Sequence, residues 1–152
     1  MPTLASLAKA EPVPWILTTS TQWQRITPLS SEPSWHSDAL QDIARLGRLQ
    51  NNWDGYGSPP MEQAALRQAI VLLDAIRDYC LPAPEICPVS GGGIGIAWQL
   101  YKRELEIEIL PDGSAEFLMV EDEERERKTT EGRLPPNPTA TMQRLANWII
   151  NG

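Results

Sequence analysis

Histidine, cysteine and phenylalanine are scarce in this chain, which has one His, two Cys and one Phe among 152 residues. With His36 the sole imidazole and Cys80 and Cys87 the only thiols, a zinc site of the usual Cys/His kind has too few ligands. The shortage also weighs against a catalytic triad. His36 has Ser34, Ser37 and Asp38 as neighbours in "SEPSWHSDAL", but adjacent residues at a helix start do not converge on one substrate, so His36 is expected at the surface. Two cysteines allow one bridge at most and read instead as free, partly buried thiols of a reducing compartment.

Long apolar runs are missing as well. The longest, "AIVLLDAI", is broken by Asp74 and falls far short of the ~20 residues that cross a bilayer. The start, "MPTLASLAKAEPVPW", has neither a basic region nor a continuous apolar one, which predicts a cytoplasmic chain with no membrane association. Positive charge is the third deficit: 13 Lys and Arg face 20 Asp and Glu, giving a net charge of -7. Such a field repels a polyphosphate backbone and suits a partner protein with a basic surface, leaving direct nucleic-acid contact to a setting within a larger complex.

What the sequence does contain fits a globular domain, with 41% hydrophobic and 22% charged residues. Residues 1–36, rich in Pro, Ser and Thr and carrying Trp15, Trp23 and Trp35, read as an irregular arm with short extended pieces at "PWILTT" and "QWQRIT". Three Trp in so short a stretch each bring roughly 150–250 Å² to bury, on this domain's own sheet or on another chain. Residues 37–152 read as a single α+β domain: an antiparallel meander of three to five strands packed against two N-terminal helices and a short C-terminal helix. Ser37 and Asp38 offer an N-cap for "ALQDIARLGRLQ", with Leu40, Ile43, Leu46 and Leu49 along one stripe. "MEQAALRQAIVLLDAIRDYC" follows Pro59 and Pro60 and turns Ala65, Leu66, Ile70, Leu72, Leu73 and Ile76 to a broad apolar face. The end, "NPTATMQRLANWIING", presents Met142, Leu145, Ala146, Trp148 and Ile149.

Between these helices the apolar period changes to two. "GIGIAWQL" puts Ile94, Ile96, Trp98 and Leu100 on one face, and "ELEIEIL" sets Leu105, Ile107 and Ile109 opposite Glu104, Glu106 and Glu108. "LPDGS" places Pro111, Asp112 and Gly113 in the order of a type I turn closed by a glycine bulge, with Gly113 left-handed. A three-residue loop of this kind pairs Ile109 with Ala115, Ile107 with Phe117 and Leu105 with Met119. A two-residue loop would set Ile109 against Glu116 and mix charge into the apolar face. "EICPVS" and "ERERKTTE" are candidates for further strands.

Four motifs invite chemistry. "SGGGIG" looks like a dinucleotide loop, yet it runs into a strand rather than a helix and no phosphate-binding Lys follows, so a hairpin or bulge is expected. Glu104, Glu106 and Glu108, with Glu116 beside Glu108, form a carboxylate face that reads as solvated; as a functional alternative it would serve a metal-dependent hydrolase. "EDEERERK" reads as a solvated ribbon, and its neighbourhood supplies Arg125, Arg127, Lys128 and Arg133 as candidate RNA contacts, should the chain be a structural subunit of a ribonucleoprotein. In "NNWDGYGSPP", Asp54–Gly55 marks a turn and Gly57 permits a second positive φ, with Trp53 and Tyr56 as packing lids or as an aromatic anchor for a partner.

"NNWDGYGSPP", a long helix, "PAPEICP", a Gly-containing turn, "IAWQ" and an alternating Glu-rich strand together resemble a poorly characterised family of small bacterial proteins with an NWDGYG-type motif, over roughly Leu40 to Leu118. The resemblance implies an accessory or immunity-like component. The expectation is therefore a non-catalytic, cytoplasmic protein-binding module, antitoxin-like or an accessory subunit of an antiviral defence system. It is expected to use no metal and no cofactor, and to meet its partner through Trp15, Trp23, Trp35, Trp53, Asp54 and Tyr56.

Overall fold

The computed structural model of the chain describes residues 15–16, 24–25 and 34–152. Within a first unit, Met1–Ser31, strands β1 (Trp15–Ile16) and β2 (Gln24–Arg25) pair antiparallel, with Trp15 opposite Arg25. The second unit, Glu32–Gly152, holds three helices and a five-stranded antiparallel sheet, an α+β fold.

Helix α1 (Ser34–Leu46) begins earlier than the Ser37–Asp38 cap signal suggests, so Trp35 and His36 sit in its first turn. Long-range partners explain this start. Trp35 packs edge-on against Trp98 at 6.2 Å and its Nε1 donates to the Tyr79 carbonyl at 2.9 Å. His36 is buried, not at the surface as its place in the sequence suggested, and its Nε2 donates to Asp74 Oδ1 at 2.8 Å. That bond ties α1 to α2 (Gln63–Ala75).

The sheet is a meander of β3 (Glu85–Val89), β4 (Gly93–Leu100), β5 (Arg103–Ile109), β6 (Ala115–Glu123) and β7 (Glu126–Arg133), in that spatial order. The β5–β6 register has the expected pairs, Ile109–Ala115, Ile107–Phe117 and Leu105–Met119. Gly113 adopts φ 92°, and its N–H donates to the Leu110 carbonyl at 2.8 Å, closing the turn. Both candidate strands form: "EICPV" is β3 and "ERKTTEGR" is β7.

All three helices lie on one side of the sheet, α1 against β3 and α2 and α3 (Thr139–Asn151) against β4 and β5. The strict alternation of β4 and β5 explains the one-sidedness, since every second side chain points to the same face. Ile94, Ile96, Trp98, Leu105, Ile107 and Ile109 meet Ala65, Ala69, Leu72 and Leu73 of α2 and Met142, Leu145, Ala146 and Ile149 of α3, all buried. Helix α3 runs 13 residues, as long as α1 and α2. Ile70 departs from its expected place in the core: with Val71 it lies exposed on the outer side of α2. Cys80 and Cys87 are free and exposed rather than partly buried.

The glycine run is structural. A Cβ on Gly93 would lie 2.5 Å from the Ile109 carbonyl oxygen, so the β4 backbone approaches β5 more closely there than any side chain permits. Among the described residues, no helix is long and apolar enough to cross a membrane.

A one-sided core has a measurable signature. Ile107→Ala is expected to lose about 2–5 kcal/mol in urea unfolding. Glu106→Ala, one residue away on the other face, is expected to change stability by less than about 0.5 kcal/mol. Comparable losses at both positions would show that both faces are packed.

Candidate functional site

The corner between α1 and α2 is built around one carboxylate. Asp54 Oδ1 accepts from the backbone N–H of Tyr56 at 2.9 Å and of Ser58 at 3.2 Å. Its Oδ2 accepts from the hydroxyls of Ser58 at 2.5 Å and of Ser90 at 3.1 Å. The Ser90 bond crosses from the corner to the β3–β4 turn, and the Glu62 N–H to Gly92 carbonyl bond at 3.1 Å fastens the same two segments again. Asn52 completes the loop: its side-chain oxygen accepts from Gly57 N–H at 2.7 Å and its own N–H donates to the Ser58 carbonyl at 2.7 Å. Asn52, Gly55 and Gly57 all have positive φ, the local requirement that the Asn and Gly of the motif satisfy.

These bonds hold the charged form of Asp54. The Ser58 hydroxyl, then the Tyr56 N–H, lower its pKa from 3.8 to about 2. Trp53 is half-buried against the core, with Nε1 donating to the Pro59 carbonyl at 2.9 Å. Tyr56, by contrast, is 94% exposed. The corner therefore spends four hydrogen bonds on one carboxylate and leaves an aromatic ring in solvent at its apex.

The other named positions have different settings. Trp35 is part of the hydrophobic core, 4% exposed, and gives a partner almost no surface. Trp15 falls in β1, and Trp23 lies outside the described residues. Of the basic candidates, Arg127 binds Asp122 at 2.9 Å and Glu104 at 3.5 Å, Lys128 reaches Glu123 at 3.4 Å, and Arg133 reaches Glu116 at 3.1 Å. Arg125 lies in the β6–β7 turn. These cations are largely answered from within the fold.

Glu104, Glu106 and Glu108 lie on the sheet face turned away from the helices, where Glu85, Cys87, Glu106, Glu108, Glu116 and Glu131 line a shallow open groove of about 640 Å³. Glu108 and Glu116 are directly opposed in the register. Alternate positions of a strand stand roughly 6.6 Å apart, and the side chains run parallel rather than inward. Among the described residues no group of three or more His, Cys, Asp or Glu is arranged to hold a metal ion. His36 is committed to Asp74 inside the helix layer and faces no groove residue.

The chain matches no family model, no curated protein and no solved structure.

Because the folded pKa of Asp54 is depressed, its contribution to stability is complete above about pH 4 and disappears as pH falls toward 2. NMR titration of the Asp54 carboxyl is expected to show a midpoint near 2. Asp54→Ala is expected to speed hydrogen exchange at the Tyr56 and Ser58 amides at neutral pH, and its stability deficit is expected to shrink as both proteins are acidified. A midpoint at the ordinary carboxylate value would mean that the four donors do not act together.

Proposed function

We propose that this chain is a non-catalytic protein-binding module whose contact surface is the corner 51–60. One observation carries the reading: a network of hydrogen bonds that fixes the loop backbone holds Tyr56 almost wholly outside the fold. Rigid aromatic side chains that lose little conformational entropy on contact are enriched at binding hot spots. The half-buried Trp53 fastens the same loop through its bond to the Pro59 carbonyl, and Asp54 organises it. This assigns different roles to the three: Tyr56 touches the partner, whereas Trp53 and Asp54 position it.

The net charge of -7 supports a partner with a basic surface, attracted over a distance that shrinks as salt rises. The resemblance to NWDGYG-type proteins favours an accessory or antitoxin-like role for the complex. The chemistry of the corner supports binding rather than catalysis. Its one carboxylate is already saturated by donors and stays ionised at neutral pH, so it is no proton donor and a poor base.

Affinity capture with the full chain at native expression tests this. Tyr56→Ala removes only an exposed ring, so its stability is expected to stay within about 0.5 kcal/mol of the parent. It is expected to weaken the recovered complex by at least roughly tenfold, the scale of a hot-spot side chain. Recovery of every partner at undiminished yield with Tyr56→Ala would overturn the assignment.

A further inference from the structure

We propose that the outer edge of β7 pairs with β7 of a second copy of this chain, antiparallel and centred on Thr129, joining two five-stranded sheets into one of ten. The strand lies at the end of the sheet, and all but one of its eight residues are exposed. Its backbone polarity is fixed by its neighbours. Leu134, just beyond the strand, donates its N–H to the Ala115 carbonyl at 2.9 Å, and Asp122 on β6 donates to the Lys102 carbonyl on the β5 side at 2.9 Å. Backbone groups alternate sides along a strand. The even-numbered residues of β7 therefore bond to β6, while Arg127, Thr129, Glu131 and Arg133 turn their N–H and C=O groups outward. Among the described residues no strand lies beyond them.

A two-fold axis perpendicular to the sheet pairs outward residues with outward residues, and charge then selects the register. Centring on Lys128 sets that ammonium against itself. Centring on Thr130 sets Arg127 against Arg133, and centring on Glu131 sets the carboxylate against itself. Each of these places like charges directly opposite, which is destabilising. Centring on Thr129 instead sets Arg127 against Glu131 of the second copy, twice by symmetry, with Thr129 against Thr129 between them. Within the strand no like charges oppose, and the one like pair at its end, Arg133 against Arg125 of the second copy, falls where the chain already turns away between β6 and β7.

Two further features favour a second copy as the occupant. β7 holds three cations against two carboxylates, so two acidic chains repel least along this edge. The helices pack on β3, β4 and β5 only, so α1, α2 and α3 leave the approach to β7 open. Charged residues on an edge strand ordinarily discourage indiscriminate pairing. Among the four registers that pair five or more residues of each strand, the same charges reject three and accept one, which is how an edge discriminates between partners.

Analytical ultracentrifugation of the full chain from about 1 to about 100 μM is expected to show a monomer–dimer equilibrium in this micromolar range. Glu131→Arg is expected to weaken the dimer by at least roughly tenfold, because it sets an Arg against Arg127 twice across the axis. Thr129→Pro removes an outward N–H without touching the β6 ladder, so it is expected to dissociate the dimer while circular dichroism stays unchanged. Should Thr129→Pro fail to fold, a covalent trap decides. In a Cys80→Ser, Cys87→Ser background, Thr129→Cys brings two Cα atoms to about 5.5 Å across the axis, within disulfide reach, and is expected to oxidise to a covalent dimer. Thr130→Cys, off the axis, is expected not to. A chain that stays monomeric throughout this range, or a dimer indifferent to Glu131→Arg and untrapped by Thr129→Cys, would overturn the proposal.

Discussion

The packing of the α2 and α3 apolar stripes onto the alternate residues of β4 and β5 decides where the other groups of the domain can go. Ile94, Ile96 and Trp98 are paired across the register with Ile109, Ile107 and Leu105, so the buried face is continuous over both strands. A shift of one residue would carry Glu104, Glu106 and Glu108 inward, and unpaired buried carboxylates cost far more than the packing returns. The acidic outer face follows from that constraint. The strands need polar residues there, and glutamates opposed at Glu108 and Glu116 are tolerated because water screens them.

The corner obeys the opposite logic, since its order comes from polar groups rather than from burial. The sixteen residues that join α1 to α2 must bring the chain past the β3–β4 turn. Asp54 and Asn52 supply acceptors where no regular ladder exists, and Ser90 ties the corner to the sheet across 36 positions of sequence. Hydrogen bonds to an ionised acceptor are stronger than neutral ones, which suits a loop with little apolar area of its own. The result is a stiff apex without a core beneath Tyr56.

Local chemistry made much of this legible in the sequence. The β5–β6 register followed from the turn "LPDGS" together with the alternation on either side, both contained in one short stretch. The two Gly of "NNWDGYG" announced positive φ for the same reason. What stayed hidden depends on distant partners: the start of α1 is set by Trp98, Tyr79 and Asp74, which the Ser37–Asp38 cap signal cannot report. His36 looked like a surface residue because its burial depends on α2. Ile70 satisfied a helical apolar pattern, yet α2 is covered on one side only, and the periodicity of an apolar-rich helix does not say which flank the neighbours leave open. Ser90 as a ligand of Asp54 had no sequence signal beyond its place at the head of the glycine run.

Tyr101 is nearly as exposed as Tyr56, at 90%. It occupies the β4–β5 turn with φ 57°, a left-handed conformation that an aromatic residue adopts at some cost. Among the described residues no hydrogen-bond network comparable to the one at Asp54 surrounds it, so exposure alone does not distinguish the two and stiffness does. Tyr101 follows the end of β4, whereas the Tyr56 corner is fastened to the turn before its start, and the eight residues between span about 25 Å. A compact partner at the Tyr56 corner would not reach Tyr101. The β7 edge is similarly separate, lying four strand spacings, or roughly 19 Å, from β3, to whose turn the corner is fastened. Pairing through β7 would therefore leave both Tyr56 corners free and carry them on one rigid sheet. A partner with two matching sites would then gain from effective concentration, whereas one with a single site would bind each corner independently.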